Sequence, residues 1–395
     1  MKFAHLADSH LGGWRQPELQ ELNSESFKIA INICIQEKLD FILFSGDLFD
    51  SAFPSIMVLK ETFAEFRKLK DAGIKIYLIA GSHDYSVSGK TFLDVLEKAG
   101  FCEICEYEEV ADEIFLKPII HDSCYIYGYP GKKAGIEVKE IKRIKIKEPY
   151  EDHFRILMLH TTIKDVVGTL PIDSVNLNEL PKADYYALGH IHMDFEKEIN
   201  NIPVIYGGPL FPNNFKELEE LKFGSFYIVD VEGYTKITKK EIKLKGVENI
   251  KIKLENALIG TEKIILELEK RDLKDKIVLL RIFGDLIKGK TSDIKFQKIE
   301  LYLEKAGAYC FLKNTSKLKN QERELKIEIP EKEMEKVEEI LIERYEKENP
   351  SDLNKLIPSL INSLNLEKQE GEQTKIFESR LLAELNKILG INLFN

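Results

Sequence analysis

Residues 41–50, FILFSGDLFD, decide the fold of this chain. The apolar run from Phe41 to Phe44 is typical of a strand that is buried on both faces of a parallel sheet. Gly46 then ends the strand in a polar turn that begins with Asp47. A carboxylate at the carboxyl end of a buried strand is well placed to bind a metal ion, so Asp47 is the first candidate ligand.

Strands and helices alternate around this stretch. Apolar segments at residues 2–7 and 74–80 predict two neighbouring strands, and apolar residues at helical spacing predict helices at 24–38, 54–73 and 88–100. This order is typical of a parallel α/β sheet whose functional turns lie at the carboxyl ends of its strands.

The chain beyond residue 100 has closer-spaced apolar segments, which predict a second sheet packed on the first: 125–129, 154–159, 185–188, 204–206 and 226–231. We therefore predict an α/β fold, a four-layer sandwich of two sheets flanked by helices, over residues 1–232. A small α+β pattern follows at residues 243–329, and a helical tail at residues 330–395.

The tail has three apolar stripes at helical spacing, in residues 334–345, 353–364 and 376–389. Pro358 predicts a kink or a restart in the second stripe. Such helices pack either on their own domain or on a partner. A helix-loop-helix tail on an already complete enzyme favours a partner.

The formal net charge of −10 argues against binding of nucleic acid by overall electrostatics. Any contact with DNA must be local, and residues 132–147 are the best candidate surface. Arg143, Lys145 and Lys147 alternate there with isoleucines, which places the cations on one face of a strand. A solvated edge strand that its lysines protect from aggregation is the alternative.

Two further features concern the compartment. The sequence has neither a twenty-residue apolar span nor a secretory leader pattern at its start, so we expect a cytoplasmic protein without membrane contact. The five cysteines are scattered, and the single C-x-x-C at Cys102 and Cys105 has no second pair to complete a zinc site. We expect all five to be free thiols.

Polar residues follow the apolar segments at five places. Five of the eight histidines lie in these turns, and we assign the other three, His5, His121 and His153, to structural roles. Asp and His without Cys fit manganese, iron or zinc, and two such ions ~3.5–4 Å apart can clamp a phosphoryl group. The turns therefore predict hydrolysis of phosphate esters, and they are Asp8-x-His10, Gly46-Asp47, Gly81-x-His83-Asp84, His160 and Gly189-His190-x-His192.

This ordered set resembles the signature of the calcineurin-like metallophosphoesterases. The segments KFAHLADSHLG, FILFSGDLF and YYALGHIH are similar to those of the meiotic-recombination-eleven nucleases of archaea, the family called SbcD in bacteria. The resemblance extends over about residues 1–230. It implies a manganese-dependent DNA exo- and endonuclease at the nucleoid that repairs double-strand breaks. It also implies a homodimer with a coiled-coil ABC-type ATPase bound to its C-terminal helices.

The resemblance also implies a role for each motif residue. Asp8, His10 and His192 would hold the first of two manganese ions, Asp47 would bridge, and His160 and His190 would hold the second. His83 would contact the scissile phosphate and assist the leaving oxygen, oriented by Asp84. Arg15, just beyond His10 and next to Trp14, could touch DNA, whereas Trp14 fits a hydrophobic plug equally well.

Three departures from the family pattern limit this transfer. Ser82 replaces the usual Asn, whose carbonyl is a metal ligand, so we expect Ser82 to be a weak ligand and the second ion to bind less tightly. Asp50 replaces a His that supports exonuclease action in many relatives. The turn at residues 206–209 reads YGGP instead of Y-P-G-S.

Two other functions remain open at this point. One is a phosphodiesterase or phosphatase of the same fold, although such enzymes need neither the α+β domain nor the tail. The other is a scaffold subunit that holds DNA ends and cleaves poorly, which Ser82 favours. The presence of all the charged and imidazole ligands favours the nuclease.

Overall fold

The computed structural model describes residues 1–86, 91–146, 153–168, 172–193, 195–199, 201–320, 342, 351–366, 368–369, 372 and 374–390. The chain divides into two compact units, Met1–Gln321 and Glu322–Asn395. Within the described residues, no helix combines the length and the apolar character needed to cross a lipid bilayer.

The first sheet contains the 41–50 stretch. Its strands are β1 (Lys2–Leu6), β2 (Phe41–Ser45), β3 (Lys75–Ile79), β4 (Glu103–Ile104), β14 (Gly224–Glu232) and β15 (Tyr234–Ile242). They lie in the order β15-β14-β1-β2-β3-β4, and β1 to β4 are parallel. The prediction that residues 226–231 belong to the second sheet is wrong, because β14 pairs antiparallel with β1 and places Val229 opposite Phe3.

Three helices cover the outer face of this sheet: α1 (Pro17–Gln36), α2 (Ile56–Asp71) and α3 (Phe92–Lys98). Phe27 and Ile31 of α1 and Phe66 of α2 are buried in the core against the strands. The predicted start of α1 at residue 24 is seven residues too late. Pro17 can occupy the first helical turn because an amide N–H there would have no partner within the helix. Leu19 and Leu22 are buried, so the additional turns pack against the rest of the protein.

The second sheet lies on the other face of the first. Its strands are β7 (Ile119–His121), β8 (Cys124–Tyr129), β10 (Phe154–His160), β11 (Tyr185–Gly189), β12 (Glu196–Ile199) and β13 (Ile202–Tyr206). Their order is β12-β13-β11-β10-β8-β7. Phe3 and Phe41 stack at 5.0 Å between the two sheets, beside the buried Met158 and Tyr185.

Short elements cover the outer face of the second sheet. They are β5 (Tyr107–Val110), β6 (Glu113–Leu116), α4 (Glu137–Ile141), β9 (Ile144–Ile146) and α5 (Lys164–Val167). The basic stretch therefore contains a helix before its three-residue strand, in which Ile144 is buried and Lys145 is exposed. The predicted fold, a mixed α/β sandwich of two sheets with flanking elements, is confirmed.

We call residues 246–320 the α+β module. It is part of the unit Met1–Gln321 and has its own hydrophobic core. It consists of β16 (Gly246–Lys253), α7 (Gly260–Leu268), β17 (Lys276–Leu286), α8 (Phe296–Lys305) and β18 (Cys310–Asn320). This is the predicted order, and both strand pairs are parallel. A seven-residue helix, α6 (Phe215–Leu221), lies between β13 and β14 and packs against the module.

The second unit, Glu322–Asn395, contains α9 (Ile357–Leu364) and α10 (Thr374–Leu389), which contact each other. Pro358 lies in the first turn of α9, as expected for a helix restart, after a short 3-10 segment at Asp352–Leu356. The stripe predicted at residues 334–345 lies outside the described residues, apart from residue 342.

Candidate active site

The proposed ligands lie where the strands of both sheets end. Four of them, Asp8, His10, Asp47 and His190, have φ angles of 52°, 41°, 49° and 98°. Residues other than glycine rarely adopt this left-handed backbone conformation, and those that do are concentrated at functional sites. Backbone hydrogen bonds fix the turns to each other, from Asp8 N to Gly46 O (3.1 Å) and from His10 N to Asp47 O (3.0 Å).

We call Asp8, His10 and His192 the first cluster, because their ligand atoms lie within 4.8 Å of one another. The Nε2 atoms of His10 and His192 are 3.0 Å apart, and Asp8 Oδ1 is 3.7 Å from His192 Nε2. The structure thus brings together the three residues that the family resemblance assigns to the first ion.

We call Asp8, Asp47 and His160 the second cluster, which meets the same 4.8 Å criterion. Asp47 Oδ2 lies 3.2 Å from His160 Nε2 and 3.5 Å from His10 Nε2, so it faces both clusters. The ring of His190 lies 5.0 Å from that of His160, but among the described residues His190 completes no such cluster. Its backbone N–H donates to Asp8.

The donor sets fit divalent cations. His10 Nδ1 faces Asp50 Oδ1 at 3.2 Å, and His192 Nδ1 faces Glu217 Oε1 at 2.9 Å. These carboxylates require a proton on Nδ1, so in the neutral rings both Nε2 lone pairs point at each other. His160 Nδ1 likewise donates to Ser45 O (2.9 Å), which leaves its buried Nε2 facing Asp47 Oδ2 at 3.2 Å. A cation at each cluster would satisfy these lone pairs.

The same crowding changes the acidity of the ligands. Burial lowers the pKa of His160, but the charges of Asp47 and Asp8 outweigh burial and raise this pKa to about 10. Burial and the positive charge of His160 lower the pKa of His190 to about 4. Without metal, the Asp47–His160 pair therefore holds a proton where the second cluster would hold a cation.

Two glycines allow the turns to approach this closely. A Cβ atom on Gly46, whose φ is 89°, would lie 2.2 Å from His160 Nδ1. A Cβ atom on Gly81 would lie 2.2 Å from Asp47 Oδ1. Any side chain at either position would displace a proposed ligand, which explains why both turns begin with glycine.

His83 lies at the open side of the clusters with 47% of its side chain exposed. Its Nδ1 is 2.9 Å from the backbone carbonyl of Asp50 and 3.6 Å from the Asp50 carboxylate. The expectation that Asp84 orients this ring is wrong. Both oxygens of the buried Asp84 instead accept backbone N–H groups of Leu48, Phe49 and Gly81, so Asp84 joins the Asp47 turn to the His83 turn.

Ser82 borders a cavity of about 450 Å³ that opens above the clusters. Its hydroxyl lies 3.4 Å from Asp47 Oδ2, which is a long contact for a hydrogen bond. His10, Asp47, His83, His190 and His192 also line this cavity. A substrate in the cavity would therefore contact four of the six predicted ligands together with His83 and Ser82.

Sequence reasoning missed Glu217 and Asn213. The Glu217 carboxylate contacts His192 and also accepts the backbone N–H of Asn213 at 2.7 Å. Asn213 Nδ2 donates to Asp50 Oδ1 at 3.3 Å, which links the two carboxylates that hold the first cluster. Asn213 precedes α6 and Glu217 lies in its first turn, and no local signal distinguishes Glu217 from its acidic neighbours Glu219 and Glu220.

The candidate DNA contacts are spread over two places. Arg15 is exposed next to Trp14, whose ring is buried and donates Nε1–H to Pro212 O (2.9 Å), so the plug interpretation of Trp14 is correct. Arg143 pairs with Asp112 at 3.1 Å, and Lys145 is exposed. Lys147 lies outside the described residues.

The histidines assigned to structural roles have aromatic neighbours. His5 contacts Tyr185 OH at 3.0 Å, His121 contacts Tyr77 OH at 2.8 Å, and the ring of His153 stacks on Tyr125. The five cysteines are free thiols, as expected: Cys34, Cys102, Cys105, Cys124 and Cys310.

The two-sheet fold and the paired Asp/His clusters define a metallophosphoesterase. Residues 1–194 match the family of calcineurin-like phosphoesterases, so this part of the chain is a calcineurin-like metallophosphoesterase domain. It is a metal-dependent phosphoester hydrolase, and its donor set implies the use of divalent metal.

The chain is similar over most of its length to three archaeal proteins, each named DNA double-strand break repair protein Mre11. The protein from Methanocaldococcus jannaschii is 26% identical over 76% of this chain and 77% of its own. The protein from Archaeoglobus fulgidus is 25% identical over 71% and 68%, respectively. The protein from Saccharolobus solfataricus is 27% identical over 74% and 72%.

Proposed function

We propose that this chain is a manganese-dependent DNA exo- and endonuclease subunit of a double-strand-break repair complex. The observation that carries the proposal is an open cavity lined by His10 and His192 of the first cluster and by Asp47 of the second, with Asp8 shared by the two clusters. The similarity to archaeal Mre11 proteins over about three quarters of the chain supports DNA as the substrate.

Two manganese ions per subunit would occupy the clusters. Asp8, His10 and His192 would hold the first, His160 and His190 would hold the second, and Asp47 would contribute to both. When bound, such ions activate water and neutralise the charge that develops on a phosphoryl group. Ser82 would make the second site the weaker one, because a hydroxyl is a poorer neutral ligand than an amide carbonyl.

The residues of this chain position the phosphate and the leaving oxygen. His83 borders the cavity with its Nδ1 held by the Asp50 carbonyl, so its Nε2 is free to reach the substrate. A protonated Nε2 there can donate to the departing sugar oxygen. Asp84 holds the turns of Asp47 and His83 together and thereby fixes the distance between ligand and acid.

DNA contact would be mainly to phosphates and therefore independent of sequence. Arg15 lies on the loop that follows His10, and Arg143, Lys145 and Lys147 form the second basic candidate. The net charge of −10 confines binding to such local patches. We infer a homodimer through the exposed apolar residues Phe53, Ile56 and Met57, which are 66%, 85% and 64% exposed.

The tail helices α9 and α10 are the proposed binding site of a coiled-coil ABC-type ATPase. Both are amphipathic, and within the described residues neither contains a buried side chain. An amphipathic helix pair whose apolar stripe is not fully covered is a common partner-binding element.

Degradation of linear double-stranded and circular single-stranded DNA by the purified chain with manganese tests the proposal. We expect cleavage by the wild type and faster cleavage by Ser82→Asn. If a small chromogenic phosphodiester is cleaved better than DNA, the chain is a phosphodiesterase of another kind. If neither protein cuts DNA even with the ATPase partner and ATP, the chain is a DNA-tethering scaffold, the alternative that Ser82 favours.

A further inference from the structure

We propose that the α+β module positions the first metal cluster through helix α6, with Glu217 and Arg281 as positioning residues. The proposal rests on the assignment of His192 as a ligand in the proposed function. It adds a physical connection between the module and the metal site that neither the sequence motifs nor the family signature contains.

The first step is the contact between α6 and the cluster. Glu217 lies in the first turn of α6, and its Oε1 is 2.9 Å from His192 Nδ1. Asn214 caps the helix by accepting the backbone N–H of Glu217 at 3.0 Å, and Asn213 donates to Glu217 Oε2 at 2.7 Å. The Asn214 side-chain amide also donates to the Glu217 carboxylate, so three groups fix this carboxylate, and it sets the orientation of the His192 ring.

The second step is the support of α6 itself. A seven-residue helix has too few hydrogen bonds to be stable alone, so it depends on packing. The side of α6 that faces the module supplies this packing. Leu218 is fully buried with Ile277, Leu279 and Leu312 of the module.

The third step is an ion pair between α6 and the module. Arg281 of β17 contacts Glu219 through two nitrogens, at 3.2 Å for Nε and 2.6 Å for Nη2. Both side chains are largely buried, with 16% and 11% exposed, and Arg281 also lies 5.0 Å above the Phe215 ring. Lys251 adds a contact to Glu219 at 3.1 Å, and Asn249 donates to the Glu219 carbonyl at 2.9 Å.

Glu217 and Glu219 therefore lie within one turn of α6 and contact different parts of the molecule. Glu217 contacts His192 in the first cluster, and Glu219 contacts Arg281 in the module. A shift of α6 that breaks the Arg281 pair also moves the Glu217 carboxylate away from His192. The geometry predicts that disruption of the module contact weakens the first metal site and leaves the second, which has no contact with Glu217 in the described residues, unchanged.

Titration calorimetry of the metal-free full-length chain with MnCl₂ tests this connection. We expect Glu217→Gln to weaken one of the two sites by ~10–100-fold, the usual effect of losing an outer partner of a ligand. Arg281→Gln should weaken the same site by ~2–30-fold, a typical range for residues that act through others. The His192→Gln variant identifies which site is affected, because it loses the first ion directly.

Arg271→Gln is the matched control, since Arg271 pairs with Glu248 inside the module at 2.8 Å without touching α6. Its manganese affinities should equal those of the wild type. Arg281→Lys keeps the charge but not the two-nitrogen contact, and it should lie between the wild type and Arg281→Gln. Thermal unfolding of every metal-free variant accompanies the titrations and identifies any variant that does not fold.

Unchanged manganese affinities in folded Arg281→Gln or Arg281→Lys would overturn the proposal, as would equal weakening of both sites. A wild-type chain that binds no manganese would overturn it too. The titration needs no DNA, so failure of the nuclease assay with normal manganese binding would remove the proposed function and leave this connection intact.

Discussion

The two metal clusters differ in the groups that hold their histidine rings. In the first cluster, the Nδ1 atoms of His10 and His192 face the carboxylates of Asp50 and Glu217. In the second, His160 Nδ1 donates to the backbone carbonyl of Ser45. A carboxylate makes its imidazole partner more basic than a carbonyl does, because it stabilises positive charge on the ring. We therefore expect the first cluster to bind its ion more tightly.

Replacement of Asp47 tests whether the clusters share a ligand and should have the largest effect. Asp47→Asn removes the charge that faces both His10 and His160. We expect both ions to be lost and DNA cleavage to fall by more than ~1,000-fold, since metal stabilisation of the transition state is worth several kcal/mol. The measurements are manganese stoichiometry and cleavage rate, with the exposed Asp71→Asn as control. Retention of one ion would show that Asp47 belongs to a single cluster.

Replacement of His83 separates the leaving-group role from both clusters. We expect His83→Ala to retain both manganese ions and to cleave DNA ~10²–10⁴-fold more slowly, the usual contribution of a positioned acid. His83→Gln should be similarly slow, because its amide cannot donate a mobile proton. Manganese stoichiometry measures metal binding, and single-turnover rates measure DNA cleavage, so the two properties are determined separately. Loss of metal from His83→Ala would contradict the assignment of this residue as a non-ligand.

Replacement of Ser82 sharpens the difference between the sites. Ser82→Asn introduces an amide carbonyl next to Asp47, and we expect it to tighten the second manganese ion by ~10-fold. Ser82→Ala is the matched control and should leave the second site weak. Manganese titration of the wild type, Ser82→Asn and Ser82→Ala measures the affinity of the second site in each. Equal affinity for the two ions in the wild type would contradict a weak second site.

The pH dependence of binding is the smallest predicted effect. The pKa of His160 is raised to about 10 by its carboxylate neighbours Asp47 and Asp8. The contribution of protonated His160 to the stability of the metal-free fold is therefore complete below pH 6.5 and declines as pH rises toward 10. Manganese must displace that proton, and we expect release of about one proton at pH 7 from the second cluster. Calorimetry in buffers with different ionisation enthalpies measures this release. Glu217→Gln should retain it, and a buffer-independent enthalpy would contradict it.

Much of the site could be predicted because its ligands follow strands. An apolar run followed by Gly-Asp or Gly-His is a local pattern, and parallel strands place such turns at one edge of the sheet. His5, His121 and His153 follow no such pattern, and they contact aromatic residues instead. Domain boundaries and the DNA contacts remain predictions.

Other features depend on pairings that no local pattern encodes. Whether β14 joins the first or the second sheet is decided by its long-range pairing with β1, because both sheets bury strands of the same composition. Adjacency in the sequence predicts that Asp84 contacts the ring of His83. The actual partners of Asp84 in the Asp47 turn come from a different strand, 35 and 36 residues earlier in the chain.

The sequence alone determined the class of fold, the residues of the first cluster and the position of Ser82, because hydrophobic periodicity and side-chain chemistry are local properties. It did not place Asp8 in the second cluster, where among the described residues Asp8 joins Asp47 and His160. The tertiary structure decided which groups hold those donors. Glu217 reaches His192 only because α6 is packed against the α+β module, and Asp50 faces His10 only because the β1 and β2 turns are hydrogen-bonded together. Such contacts arise from packing between distant segments, whose free energies depend on the whole fold.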